Sequence, residues 1–198
     1  MIRKILCGCL GLGLPCLGAV GGLPAWWTGF PGLPRLESSF VQESDSAVFG
    51  KLTRQGDLKL AKGGRLRVQY REGLLLVANG TTLIQYDPQA RTAQRQTLRA
   101  AAAETPLLDI LLRPGGLGKF YEAKPGPDQS LALEPRQAGL PRVELTGRGR
   151  LLQRIQWTDG TGARQVIELK NPQVPAAPFD AATFTFAPPA GTRWLDAR

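Results

Sequence analysis

The side chains that most often carry catalysis are scarce in this 198-residue chain, which contains no histidine. That removes the imidazole general base, the Ser-His-Asp and Cys-His arrangements, and the commonest zinc ligand. The carboxylates offer no pair at a helical spacing that would join them for acid–base work. Glu104 with Asp109 and Glu37 with Glu43 both miss the three- or four-residue interval that shares a helix face. "RPGGLGKFY" (113–121) has the look of a phosphate-binding loop, but Arg113 stands where its first glycine belongs. Phe120 replaces the hydroxyl that would meet magnesium, so the segment reads as a flexible turn. Asn79-Gly80-Thr81 matches a glycosylation acceptor, yet a hairpin turn accounts for it fully. The expectation is a protein that is not an enzyme and uses no metal or cofactor.

The three cysteines, Cys7, Cys9 and Cys16, lie together in an N-terminal stretch that reads as an export signal. "MIRK" is its basic start and "ILCGCLGLGLPCLGAV" its uncharged apolar run, with small residues leading to Ala25. Residues 1–25 are therefore expected to be removed, leaving residues 26–198 as one exported domain without cysteine. A lipid anchor on one of these cysteines is the rival reading; Pro15 directly before Cys16 suits that processing poorly. No later segment has the roughly 18 consecutive apolar residues of a spanning helix. The formal charge is +9, with arginines scattered singly. An exported chain of this kind points to a membrane surface or an acidic partner and away from nucleic acid.

Along that domain, "LPRLESSFVQ" spaces Leu33, Leu36 and Phe40 as one helical stripe, with Pro34 suited to a first turn. Residues 48–96 alternate as strand after strand, with "ANGTT" marking a hairpin. In "LKLAKGGRLRVQY" (58–70), Leu58, Leu60 and Lys62 share one strand face, and Leu66, Val68 and Tyr70 share another. "ETPLLDILL" breaks the pattern: Thr105 can cap a helix begun by Pro106, and its leucines make that helix apolar nearly all round. Strands return in "SLALEP", "RVELTG", "LLQRIQWTD" and "ARQVIELK", the last two joined by a turn at "DGTG". The pattern describes one α+β domain, a large antiparallel sheet with short helices against one face.

In this order, the segments resemble the outer-membrane lipoprotein carrier family, LolA. "LPRLESSFVQ" is similar to its opening helix, "QGDLKLAK" and "RLRVQY" to its glycine-led strand pair, and "LLLVANGTTLIQYDP" to its hairpin. "ETPLLDILL" resembles its lid helix, "LALEPR" its leucine-x-proline strand, and "FTFAPPAGTRW" its closing signature. The likeness covers about residues 33–198. It implies a curved, incompletely closed antiparallel β-barrel with short helices over its mouth and a hydrophobic cavity inside. It also implies a cofactor-free, monomeric periplasmic carrier. Such a carrier takes acylated lipoproteins from an inner-membrane transporter to an outer-membrane receptor.

Under that resemblance, alternation nominates Leu58, Leu60, Leu66, Val68 and Tyr70 as cavity wall, with Phe40, Trp157, Phe184 and Phe186 as further contributors. Leu107, Leu108, Ile110 and Leu111 would form the lid. Lys62-Gly63 stands where the family typically has arginine-proline, the arginine latching the lid through its carbonyls. Lysine lacks the planar five-donor fork, so Lys62 is expected to be a weaker latch. The family's strand aromatics are also thinned, which leaves the cargo open. The alternatives are a similar carrier of another lipid and a lipid-anchored receptor of the same fold.

Overall fold

The computed structural model describes residues 22–195 apart from 105 and 113, and not the side chains of 102–104, 106, 107 and 109. The leader and its cysteines lie outside the described residues. A short helix α1 (Ala25–Gly29) and a 3-10 turn lead into β1 (Arg35–Ser46) and β2 (Gly50–Ala61). Then come β3 (Arg65–Tyr70), β4 (Leu75–Asn79), β5 (Thr82–Asp87) and β6 (Thr92–Thr97). Helices α2 (Leu98–Glu104) and α3 (Pro106–Leu112) and a 3-10 helix at Pro114–Lys119 interrupt the strands. The chain finishes with β7 (Tyr121–Pro125), β8 (Ser130–Pro135), β9 (Val143–Arg148), β10 (Leu151–Thr158), β11 (Arg164–Gln173) and β12 (Arg193–Leu195).

All twelve strands join one sheet in the order β12-β6-β5-β4-β3-β2-β1-β11-β10-β9-β8-β7. Its ladders are antiparallel except the short β12–β6 pair. The two edges, β12 and β7, do not meet, so this is the curved, incompletely closed barrel with a few short helices that the resemblance implied.

Two expectations are corrected. "RLESSFVQ" is strand β1, not a helix: Leu36, Ser38 and Phe40 are buried at every second position. A Leu-to-Phe spacing of four fits both a helix and a strand face, and pairing with β2 and β11 on both sides decides for the strand. The helix instead precedes it, at Ala25–Gly29. "PGGLGK" is also not a loose turn. It coils as a 3-10 helix that buries Leu117 in the core.

One face of the sheet carries the core. Leu36, Leu66, Leu131, Leu145, Leu152 and Ile155 are almost wholly buried there, with Trp26 from α1 and Leu108, Ile110 and Leu111 from α3. Trp26 lies over Gly147 of β9, where any Cβ would strike the indole. Its Nε1–H donates to the Gln129 carbonyl at 2.8 Å. The opposite face is crossed by the chain after β11. Arg35 donates to the carbonyls of Pro175 (2.7 Å) and Ala176 (2.8 Å), and Phe186 packs on Tyr86 at 5.3 Å between ring centres.

The β10–β11 turn is organised by Asp159. Its Oδ1 accepts from Thr161 Oγ1 (2.6 Å), Thr161 N (2.9 Å) and Ala163 N (3.1 Å), and Oδ2 from Gln165 Nε2 (3.0 Å). The Thr161 hydroxyl is the main cause that holds this carboxyl below the usual carboxylate range. A depressed folded pKa means the unfolded chain binds the proton more readily, so this stabilisation exists above the ordinary carboxylate pKa and fades as pH falls through the folded one. Asp159→Ala should therefore lower Tm at neutral pH, and its deficit against the parent should shrink on acidification below about pH 4. Thermal melts from neutral to strongly acidic pH measure this; a deficit that does not shrink contradicts the account.

Candidate functional site

Between the core face and α3 lies an apolar cavity of about 70 Å³. Phe40 of β1, Leu58 of β2, Val68 and Tyr70 of β3 and Leu76 of β4 form one side. Ile155 of β10 and Ile167 and Leu169 of β11 form the other, and Leu111 of α3 covers it. Register explains the gathering. Phe40 lies opposite Gly56 on β2 and Leu169 on β11, Leu58 opposite Val68, Val68 opposite Leu76, and Ile155 opposite Ile167. Cross-strand partners share a face, so one apolar set repeats from strand to strand.

Gly56 makes the wall possible. The Phe40 ring lies across it, and a Cβ there would meet both that ring and the Gln69 carbonyl oxygen. A glycine within a strand commonly marks such a close approach. Phe40 then meets Tyr70 edge to face, with ring centres 5.2 Å apart and planes at 89°. At the rim the Tyr70 hydroxyl donates to Gln42 Oε1 at 2.7 Å. Burial pushes its pKa up, with Arg54 opposing and Glu72 adding to the shift, so the phenol stays a donor. Beyond it Arg54 and Glu72 pair at 3.3 Å. The site therefore has an apolar interior and a polar rim, and its side chains offer packing rather than bond-making chemistry. Among the described residues no group of three or more His, Cys, Asp or Glu could hold a metal ion.

The predicted wall residues divide. Phe40, Leu58, Val68 and Tyr70 line the cavity, as does Leu111 of the lid. Leu66 is buried beyond it in the same core, and Leu60 and Trp157 pack half-buried against that core. Leu108 and Ile110 anchor α3 in the core, while the side chain of Leu107 lies outside the described residues. Phe184 and Phe186 sit on the other face of the sheet, around a groove with Val77, Ile84 and Arg95. That places Phe186 away from the cavity, because the segment carrying it runs across the back of the sheet.

Lys62 does not continue the strand face of Leu58 and Leu60. β2 ends at Ala61, and Lys62 is exposed in the turn, its backbone N–H on the Pro34 carbonyl at 3.1 Å. Its ammonium has no hydrogen-bond or ion-pair partner among the described residues. The glycines after it serve the turn: Gly63 and Gly64 have φ of 82° and 72°, and Gly64 approaches Leu98 and Gly80 closely. The sequence reading missed Leu76, Ile155, Ile167 and Leu169. Each stands in an alternating apolar segment, so the signal was present, but which strands face one another across the curve was not.

The architecture is an open sheet curled around a small apolar cavity under a short helix. The family described as outer membrane lipoprotein carrier protein LolA matches residues 32–187, and the chain belongs to that family. An outer-membrane lipoprotein carrier protein of Bordetella bronchiseptica is 30% identical over 157 residues, 76% of this chain and 70% of that protein. Its Bordetella avium counterpart is 32% identical over 124 residues, which span 59% of this chain and 58% of the relative. Among solved structures, an uncharacterized conserved protein from Thermus thermophilus superposes with a TM-score of 0.52 at 8% identity. The superposition covers 87% of this chain and 97% of that one, a likeness of fold alone.

Gly56→Ala should cost about 1–3 kcal/mol by overpacking, because the obstructing carbonyl belongs to the backbone and cannot swing away. Chemical denaturation measures it; an unchanged midpoint would show that the Phe40 ring is free to leave Gly56.

Proposed function

We propose that this chain is a periplasmic carrier that holds the acyl chains of lipoproteins in the cavity and conveys them from the inner to the outer membrane, without catalysis. The observation that carries the reading is the small apolar cavity beneath α3, together with membership of the LolA family. A cavity of about 70 Å³ is far below the roughly 300 Å³ or more of typical ligand sites. Loading therefore requires α3 to move off the sheet and expose Phe40, Leu58, Ile167 and their neighbours to the cargo.

The energetics favour such a device. One 16-carbon chain gains about 12 kcal/mol on burial at about 0.8 kcal/mol per CH₂. Three chains would exceed the range of known non-covalent affinities. A cavity that must open its own core to accept them returns part of that gain, so cargo can leave again. Lys62 belongs to the proposal as a weakened latch: with its ammonium in solvent, apolar contacts hold the helices down.

Pull-down of the tagged protein from envelope extract should recover triacylated proteins; recovery of free lipids alone would sink the lipoprotein reading in favour of another lipid cargo. The N-terminus of the recovered protein should be free and, in place of the boundary after Ala25 expected from the sequence, lie upstream of Pro24, because the Pro24 carbonyl accepts the Trp27 and Thr28 N–H groups that begin α1. A diacylglyceryl cysteine there would make the protein a receptor. Leu111→Ala should weaken the closed form and raise the affinity for an apolar fluorescent probe several-fold, at a stability cost of about 2–5 kcal/mol. Lys62→Arg should slow uptake of the same probe, and unchanged kinetics would remove Lys62 from the latch.

A further inference from the structure

At one end of the sheet β2 outruns β3, while β11 accompanies β1 as far as Asp45. β3 pairs with β2 only as far as Gly56, opposite Tyr70, and the Gln55 carbonyl still accepts from Arg71 N at 2.9 Å, so residues 50–54 have no strand on that side. The tip of this overhang carries Val48 and Phe49, 80% and 89% exposed, more than any other large apolar side chain among the described residues. Leu52, half exposed, lies opposite Ser44 and so shares the face of Gln42 and Phe40, on the approach to the Tyr70 rim of the cavity. Lys51 extends into solvent beside them, with Asp45 at 4.0 Å.

The shape of this patch selects its occupant. Three side chains at a hairpin tip expose on the order of 400 Å², the size of a single surface patch. A stable protein interface buries about 800 Å² on each partner and needs a broad matching surface. A projecting point offers neither. A bilayer interface needs no complementary shape: it takes up apolar side chains as a wedge, and anionic headgroups attract the cations beside it. Lys51 and the net positive charge of residues 26–198, +7 once Arg3 and Lys4 leave the +9 of the full chain, suit such a surface.

We propose that the β1–β2 tip inserts Val48 and Phe49 into the interfacial layer of an anionic bilayer, with Lys51 at the lipid phosphates. This contact turns the rim at Gln42 and Tyr70 toward the membrane and makes Leu52 a stepping point between bilayer and cavity. It is independent of the cargo's identity, because the vesicle itself is the ligand.

Flotation of the mature protein, recovered after export, with phosphatidylglycerol/phosphatidylethanolamine vesicles tests it. The parent should float at low salt and be released as salt rises. Phe49→Ser should weaken binding about tenfold or more, and Lys51→Glu should weaken it and flatten the salt dependence. Both side chains stand in solvent, so an unchanged Tm separates lost binding from lost fold. An environment-sensitive probe on Ala47→Cys should report an apolar setting on vesicles. Equal flotation of parent and Phe49→Ser, no flotation at all, or a probe shift that follows protein concentration without vesicles would each overturn the proposal.

Discussion

A sheet whose two edges never meet cannot bury its own inner face, and the rest of this molecule follows from that constraint. A second sheet would have sealed the face permanently with a matched layer. Among the described residues, three short helices and two 3-10 turns cover it, and only α3 stands over the region between Phe40 and Ile167. Over the cavity the cover is a single seven-residue helix. For the proposed carrier role, packing that is stable as a whole and local in its weakest part is what reversible loading requires.

The position of that weak part is set by β-register. Phe40, Gly56 and Tyr70 are remote in sequence but adjacent across three strands. The missing side chain at Gly56 lets the Phe40 ring lie down instead of standing into the space under α3. The volume beneath the helix thus depends on one absent Cβ, and the hydroxyl of Tyr70, fixed on Gln42, marks where the apolar surface ends.

Much of this was legible in the sequence, for reasons tied to particular residues. Alternation in "RLRVQY" gave β3 and its inward side chains. Asn79-Gly80 gave the β4–β5 turn, and the run of leucines after Pro106 gave a helix covered on several sides. What failed were patterns that two periods share or that distance decides. Leu36 and Phe40 satisfy a helix and a strand equally, and only pairing on both sides of β1 resolves them. Phe186 has the same chemistry as Phe40; no local feature says that its segment crosses behind the sheet. Lys62 continued on paper an alternation that stops one residue earlier, because Gly63 and Gly64 are there to turn the chain against Gly80. The cavity partners Ile155 and Ile167 were visible as strand residues, while their meeting with Leu58 and Val68 belongs to curvature, which no short window contains.

The chain behind the sheet serves as its cover. From β11 to β12 it spans the arc of β1 to β6, a path of about 34 Å at the usual inter-strand spacing of about 4.8 Å. It is fastened on the way where Arg67 donates to the Thr183 carbonyl and where Lys59 and Arg65 lie over Phe179 and Phe184. It ends hydrogen-bonded to β6, with Arg95 over Trp194. These fastenings join β2, β3 and β6 through one crossing segment on the outer face. The outer face is thus covered by the chain itself, and it is the inner face that relies on short helices and 3-10 turns for its cover.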